Sequence, residues 1–173
     1  MQYILRTFLA VLISGLFLIS CKNEEKGPSE DLSVEIESSA DLPSFLMVNA
    51  ANEKVNLHDY KGKKLFVNLW ATWCPPCRAE LPSIQKLYND TDRDQSEFIM
   101  LSLDESFQSA LFYFSQEKFS FPAFHPAQNL PELFNVRGIP VTFIFDENGK
   151  LIHRKDGSDN YDTEKYREIM GGK

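Results

Sequence analysis

Cysteine is scarce in this chain: 173 residues contain three, Cys21, Cys74 and Cys77. Histidine is no commoner, and the three present, His58, His125 and His153, are scattered without any close ligand spacing. Two neighbouring cysteines supply only half of a tetrahedral zinc site, so no structural metal is expected. The histidines read as solvated loop or strand-end residues. Positive charge is also in deficit. Lys and Arg number 18 against 25 Asp and Glu, a formal charge of -7, whereas a nucleic-acid binder wants a basic face. A comfortable membrane span is missing as well, because the N-terminal apolar run from Phe8 to Ile19 falls short of the roughly 20 residues a spanning helix needs. No internal repeat is present.

What the N-terminus does carry is an address. "MQYILRTFLAVLISGLFLISC" has Arg6 as its only charge, followed by an apolar run, the order of a signal peptide over residues 1–20. Leu18-Ile19-Ser20-Cys21 resembles a bacterial lipobox, which implies that Cys21 receives lipid and becomes the new N-terminus. An uncleaved N-terminal anchor is the alternative; either way the domain is expected outside the cytoplasm. Lys22 to Leu42 is acidic, serine-rich and poor in large apolar residues, so residues 21–42 read as a flexible tether. Such a segment reaches on the order of 25 Å as a coil and about 70 Å when stretched. With 43% hydrophobic residues and 14 phenylalanines, residues 43–173 suffice for one domain with an aromatic core.

Within that domain strands and helices alternate. "SFLMVNAANEKVNL" has the pattern of a hairpin around Asn52. "KLFVNLW" (64–70) and "EFIMLSL" (97–103) are short apolar runs, as strands buried on both faces should be. Leu81, Ile84, Leu87 and Tyr88 fall on one helical stripe, and Phe107, Ala110, Leu111 and Phe114 on another. Phe112 and Tyr113 lie off that second stripe and are expected to pack beneath the segment that follows. "FSFPAF" (119–124) alternates like a strand, which Pro122 should confine to an edge. "PVTFIFDENGKLIHR" reads as two strands around an Asn148-Gly149 turn. Tyr166, Ile169 and Met170 line a last helix that Asp162 could cap. The expected class is an α/β sheet flanked by helices.

Cys74 and Cys77 bracket two prolines in "NLWATWCPPCRAELP" (68–82). As a mere clip the pair would be poor, since a loop so short removes little chain entropy. As a redox pair its placement makes sense. Cys74 follows a buried strand and opens a helix, where free N–H groups and the helix dipole favour a thiolate. Pro75 and Pro76 suit a first helical turn. Trp73 could shield one side of the sulfur, and Cys77 lies one turn inward, close enough to close the ring.

These residues resemble a thioredoxin-fold protein and, more narrowly, the membrane-tethered TlpA/ResA family of thiol-disulfide oxidoreductases. The resemblance covers about Leu42 to Met170 and rests on "VNLWATWCPPCRAELP" and "VRGIPVTFIFDENGKLI". It implies a thioredoxin-like fold with a central mixed sheet, an N-terminal hairpin and a central insertion within "FSFPAFHPAQNLPELFNV". It also implies a kinking proline at Pro82, and a cis bond between Ile139 and Pro140 that sets backbone beside Cys74 to receive substrate. Asn68 stands where thioredoxin has a buried aspartate, as in the TlpA/ResA type. That type has a glutamate three residues past its second cysteine, here Glu80, placed by the i, i+3 relation to exchange protons with Cys77. The alternative for Glu80 is an exposed first-turn acid. Glu105 resembles a second cavity acid of the family, or simply begins the next helix.

The reading is therefore an extracytoplasmic, lipid-anchored enzyme of the cell envelope, on the periplasmic or outer-membrane side, acting mainly as a disulfide reductase. Its catalytic residues are Cys74, Cys77 and Glu80, with Trp73, Ile139 and Pro140 positioning substrate. The redox-active disulfide serves in place of any cofactor. Partners implied by the resemblance are disulfide-containing extracytoplasmic proteins such as apocytochrome c, a membrane thiol donor of electrons, and the membrane through the lipid; a monomer is expected. The rivals are a thiol peroxidase, a metallochaperone of the same fold, and a disulfide-forming oxidant. The peroxiredoxin pattern wants Thr or Ser where this chain has Ala71. A metallochaperone would want three residues between its cysteines.

Overall fold

Six of the seven residues in the run Lys64–Trp70 are fully buried, and a strand so covered must lie at the centre of its sheet. The computed structural model describes residues 40–172; the signal peptide, Cys21 and the tether as far as residue 39 lie outside the described residues. Seven strands form one sheet: β1 (Leu46–Asn49), β2 (Lys54–Asn56), β3 (Lys64–Trp70), β4 (Ser96–Ser102), β5 (Ala123–Pro126), β6 (Val141–Phe145) and β7 (Leu151–Asp156). Their order is β2-β1-β5-β4-β3-β6-β7. The β3–β4 and β4–β5 pairs are parallel, and the flanking pairs are antiparallel. The helices are α1 (Pro75–Asp90), α2 (Phe107–Glu117) and α3 (Glu164–Met170), with short 3-10 turns at Leu57–Tyr60 and Glu132–Phe134.

Strand alternation divides the core in two. Phe66 and Trp70 of β3, with Phe98 and Met100 of β4, pack against Cys77, Leu81, Ile84 and Leu87 of α1, Ala110 and Phe114 of α2, and Tyr166 and Met170 of α3. Leu65, Val67 and Leu69 face the other way, toward Met47, Leu57, Phe134 and Phe143. All three α-helices thus share one face, and the 3-10 turns help to cover the other. Aromatic rings fill the helical side: Phe66 stacks on Phe98 with centroids 4.8 Å apart, and Trp70 on Phe114 at 4.7 Å.

Several local expectations are met. The hairpin turns at Asn52, whose φ of 63° is one that asparagine tolerates, and the Asn49 side chain accepts the N–H groups of Ala51 and Glu53. The turn between β6 and β7 places Gly149 at φ 81°. The segment after α2 contributes a strand and a 3-10 turn.

Others are corrected. The strand after α2 starts at Ala123, and it is interior, flanked by β1 and β4. Pro122 does not force an edge because it precedes the strand and contributes only its carbonyl, which accepts the Met100 N–H at 3.4 Å. Phe112 is 68% exposed, whereas Tyr113 does turn inward beside Trp70 and Phe119. The N-cap of α3 is Thr163; Asp162, one residue earlier, instead accepts bonds from Lys86 and Arg167. Among the described residues, contacts with the sheet reach Ala40, three residues ahead of Pro43. The Leu42 N–H donates to Gly149, Ala40 accepts from the Leu151 N–H, and the Leu42 side chain is buried.

Candidate active site

The register of the central strands carries the first part of the site. β3 and β4 run parallel with Trp70 opposite Ser102, so two residues further on Thr72 faces Asp104. Asp104 is buried, and its carboxylate accepts the Thr72 N–H at 3.1 Å and the Thr72 hydroxyl at 2.6 Å, as well as the Ser102 hydroxyl at 2.8 Å. The loop that presents Cys74 is therefore tied to the end of β4. His125 of β5 approaches the Asp104 carbonyl through Nε2, at 2.9 Å. His125 and His153 are half-buried strand residues, and only His58 is exposed as expected.

Cys74 is the N-cap of α1, and its sulfur accepts the Cys77 N–H at 3.2 Å. That bond is the local expression of a helix start that favours negative charge on sulfur. Pro75 and Pro76 occupy the first helical positions, where an N–H is not missed. Pro82 lies inside α1, exposed. Cys74 and Cys77 are joined as a disulfide across a Cα–Cα distance of 5.3 Å. Cys77 is fully buried, and Cys74 retains 4% exposure, so Cys74 is the outer sulfur.

The Ile139–Pro140 bond is cis, and the Ile139 carbonyl oxygen stands 3.7 Å from Cys74 Sγ. Cys74 and Ile139 both line a cleft of about 520 Å³, walled also by Trp73, Pro76, Leu103, Phe134 and Val136. Trp73 is 65% exposed at its rim. Structure thus brings Trp73, Cys74 and Ile139 together around one opening, with Pro140 buried next to it.

Glu80 is not a surface acid. It is 2% exposed and shares the inner face of α1 with Cys77, one turn away. Its Oε1 accepts from Asn68 Nδ2 at 2.8 Å, and its Oε2 accepts from the backbone N–H of Asp159 at 3.2 Å. Asn68 Nδ2 also donates to the Thr142 hydroxyl at 2.9 Å, which accepts the Tyr161 hydroxyl at 2.6 Å. Asn68, Thr142 and Tyr161 are fully buried. Burial pushes the Glu80 carboxyl up, and the bonds from Asn68 and Asp159 offset this only in part, leaving it at about 7. A group so poised can take and return a proton near neutral pH.

Glu105 is exposed and does not line the cleft; the adjacent Asp104 is the buried acid at the end of β4. β4 ends at Ser102, and just beyond it Asp104 turns back onto the Ser102 hydroxyl through both its N–H and its carboxylate, leaving Glu105 exposed in the bend that follows. Sequence reasoning missed Asp104, although the S-x-D spacing at the end of a buried strand was a usable signal. It also missed Thr142, Asp159 and Tyr161, for which no local signal exists. Among the described residues, no cluster of three His, Cys, Asp or Glu side chains is placed to hold a metal ion.

The chain matches the Redoxin family over residues 37–169. It is 31% identical over 124 residues to the thiol-disulfide oxidoreductase ResA of Bacillus thuringiensis subsp. konkukian (strain 97-27), an alignment covering 71% of this chain and 72% of that protein. Among solved structures, StoA from Bacillus subtilis superposes with a TM-score of 0.62 at 26% identity, covering 74% of this chain and 96% of StoA. A putative thiol:disulfide interchange protein DsbE from Chlorobium tepidum gives a TM-score of 0.65 at 25% identity, covering 75% and 92%. With a disulfide at the start of its first long helix and relatives of this kind, the chain belongs to the Redoxin family and is a thiol-disulfide oxidoreductase of the ResA and StoA type.

Proposed function

We propose that this enzyme reduces protein disulfides outside the cytoplasm, tethered to a membrane by lipid on Cys21. The observation that carries the reductase chemistry is the outer sulfur of Cys74 at a helix N-terminus, facing the Ile139 carbonyl, with Glu80 buried behind the inner sulfur. In the dithiol state Cys74 is the thiolate that attacks a substrate disulfide. One substrate sulfur joins Cys74, and the other leaves as a thiolate and takes a proton. Cys77 then loses its proton, for which Glu80 is the acceptor, and attacks Cys74. The mixed disulfide breaks, the second substrate sulfur leaves as a thiolate that takes a proton from solvent, and two electrons have passed from enzyme to substrate. A membrane thiol donor returns them. The substrate's backbone lies along Ile139 and Pro140, and its side chains fill the apolar cleft beside Trp73.

The substrate class is an extracytoplasmic protein bearing an accessible disulfide, with apocytochrome c as the candidate. Envelope localisation rests on the N-terminal signal pattern and the lipobox-like Leu18 to Cys21. Trapping tests the whole reading. A Cys77→Ser enzyme retains the attacking sulfur and lacks the resolving one, so it should accumulate mixed disulfides whose partners can be identified. The mirror variant Cys74→Ser should accumulate none. If the captured partners are cytoplasmic, the localisation fails. If the enzyme inserts disulfides into reduced protein faster than it removes them, it is an oxidant.

A further inference from the structure

The five residues Gly157 to Tyr161, "GSDNY", touch the catalytic centre at three points although none belongs to it by sequence. The Gly157 N–H donates to the Pro140 carbonyl at 2.9 Å. The Asp159 N–H donates to Glu80 Oε2, and the Tyr161 hydroxyl to Thr142, which shares the Asn68 amide with Glu80. The segment opens with Gly157 at φ 77°, a left-handed turn that glycine makes without steric cost. Its far end is pinned by the Tyr161 N–H on Ser83 Oγ at 3.0 Å, and that hydroxyl in turn donates to the Glu80 carbonyl.

The Asp159 side chain accepts one anchoring hydrogen bond from outside the segment. Tyr166 of α3 donates its hydroxyl to Asp159 Oδ2 at 2.7 Å, while Asp159 Oδ1 takes the Asn160 N–H and His153 Nε2 of β7 stands 3.4 Å from the same Tyr166 hydroxyl. Burial pushes the Asp159 carboxyl up, but these bonds, with Lys155 and Lys165 nearby, hold it below its ordinary value. The anchor is therefore charge-assisted, a stronger class of hydrogen bond.

We propose that Tyr166 and Asp159 are positioning residues of the redox centre: the Tyr166 hydroxyl, through the Asp159 side chain, fixes the backbone N–H on which the Glu80 carboxylate rests, and so sets the pH at which Glu80 exchanges its proton. The proposal deepens the role given to Glu80 above and rests on it. The groups facing Glu80 are Asn68 of β3, Thr142 of β6, Lys155 of β7, Asp159 and Tyr161 of the segment, and Tyr166 of α3. Of these, the Asn68 amide, the Asp159 N–H and Lys155 favour the carboxylate, and the Asp159 charge opposes it. Loosening the N–H while that charge stays must favour the protonated acid.

The test follows the Glu80 carboxyl resonance against pH in the full chain with the disulfide intact, the resonance being assigned by its loss in Glu80→Gln. Tyr166→Phe keeps the ring in the core and removes the anchor; it should raise the Glu80 midpoint by up to about one pH unit, the scale of one weakened hydrogen bond to a charged group. In an Asp159→Ala background the same tyrosine change should move the midpoint little, because its route is gone. An unchanged or lower midpoint in Tyr166→Phe overturns the proposal, as does an equal shift in both backgrounds. If the Glu80 midpoint moves as stated while the pH profile of mixed-disulfide resolution does not follow, the clamp stands and the proton-transfer role of Glu80 fails.

Discussion

Replacing Glu80 by glutamine separates what the buried carboxyl does for chemistry from what it does to the fold. Folding moves this group from its ordinary 4.5 to about 7, with burial the leading cause. At about 1.4 kcal/mol per pH unit, that move corresponds to roughly 3 kcal/mol. The direction follows from proton binding. Between pH 4.5 and 7 the folded state holds this proton more tightly than the unfolded chain does. The group's contribution is complete below about 4.5, drains away as pH rises, and is lost above about 7, where a charged carboxylate sits buried.

Glutamine has no proton to lose, so its stability should not fall through that window on this account. Its amide oxygen can accept the Asp159 N–H, and its NH₂ can use Asn68 Oδ1, which is buried without a donor, once the Asn68 amide turns. The imperfect exchange should cost about 1 kcal/mol. Glu80→Gln is therefore expected to be about 1 kcal/mol less stable than the parent at pH 4.5 and about 2 kcal/mol more stable at pH 8. Urea unfolding at both pH values, disulfide intact and slopes compared to confirm a common two-state transition, measures the difference. An offset equal at both pH values would refute the argument, because it would mean that Glu80 is not held near neutrality.

Alkylation of the reduced enzyme at neutral pH should label Cys74 well before Cys77, since Cys74 is the outer sulfur at the helix start; equal labelling would reverse the roles. Asp104→Asn weakens the tie on Thr72 and should cost about 1–3 kcal/mol while slowing thiol reactivity of Cys74, read by urea unfolding and by thiol-reagent kinetics; stability within 0.5 kcal/mol of the parent, about the scatter of surface changes, would deny the tie. A chain starting at Ala40 should unfold about 2 kcal/mol harder than one starting at Pro43, the scale of one buried leucine, because Leu42 is buried and hydrogen-bonded to Gly149. Equal melting of the two would place the true domain start at Pro43.

Much of the fold was legible because it is encoded locally. β3 coincides with the apolar run 64–70 residue for residue, and α1 buries Leu81, Ile84 and Leu87 as their spacing requires. The placement of Cys74, Cys77 and Glu80 was legible for the same reason, being fixed relative to one another by a single helix. The failures are non-local. Whether a strand beginning near Pro122 lies at an edge depends on where a hairpin some 75 residues earlier docks. Asp104 and Glu105 are adjacent acids, and only the β3–β4 register decides which one meets Thr72. Asp159 reaches Glu80 across 79 residues of chain, and Phe112 differs from Tyr113 by one helical step that the sequence pattern does not rank.

The two buried acids show how the same side-chain chemistry is turned to different ends by its surroundings. Asp104 sits at the end of a parallel strand, where Thr72 and Ser102 offer three donors, and its oxygens are fully engaged in fixing a loop. Glu80 sits deeper, on the face of α1 that packs against the sheet, and receives two donors. Both of those donors come from groups with other ties: Asn68 also serves Thr142, and Asp159 is held by Tyr166. Under-supplied and desolvated, Glu80 is driven toward neutrality. A fold built only for stability would place an apolar residue at this point of α1. An acid there, one turn from Cys77, lowers stability above pH 7; under the proposed mechanism the same acid is the proton acceptor for the sulfur that must lose its proton before it can attack.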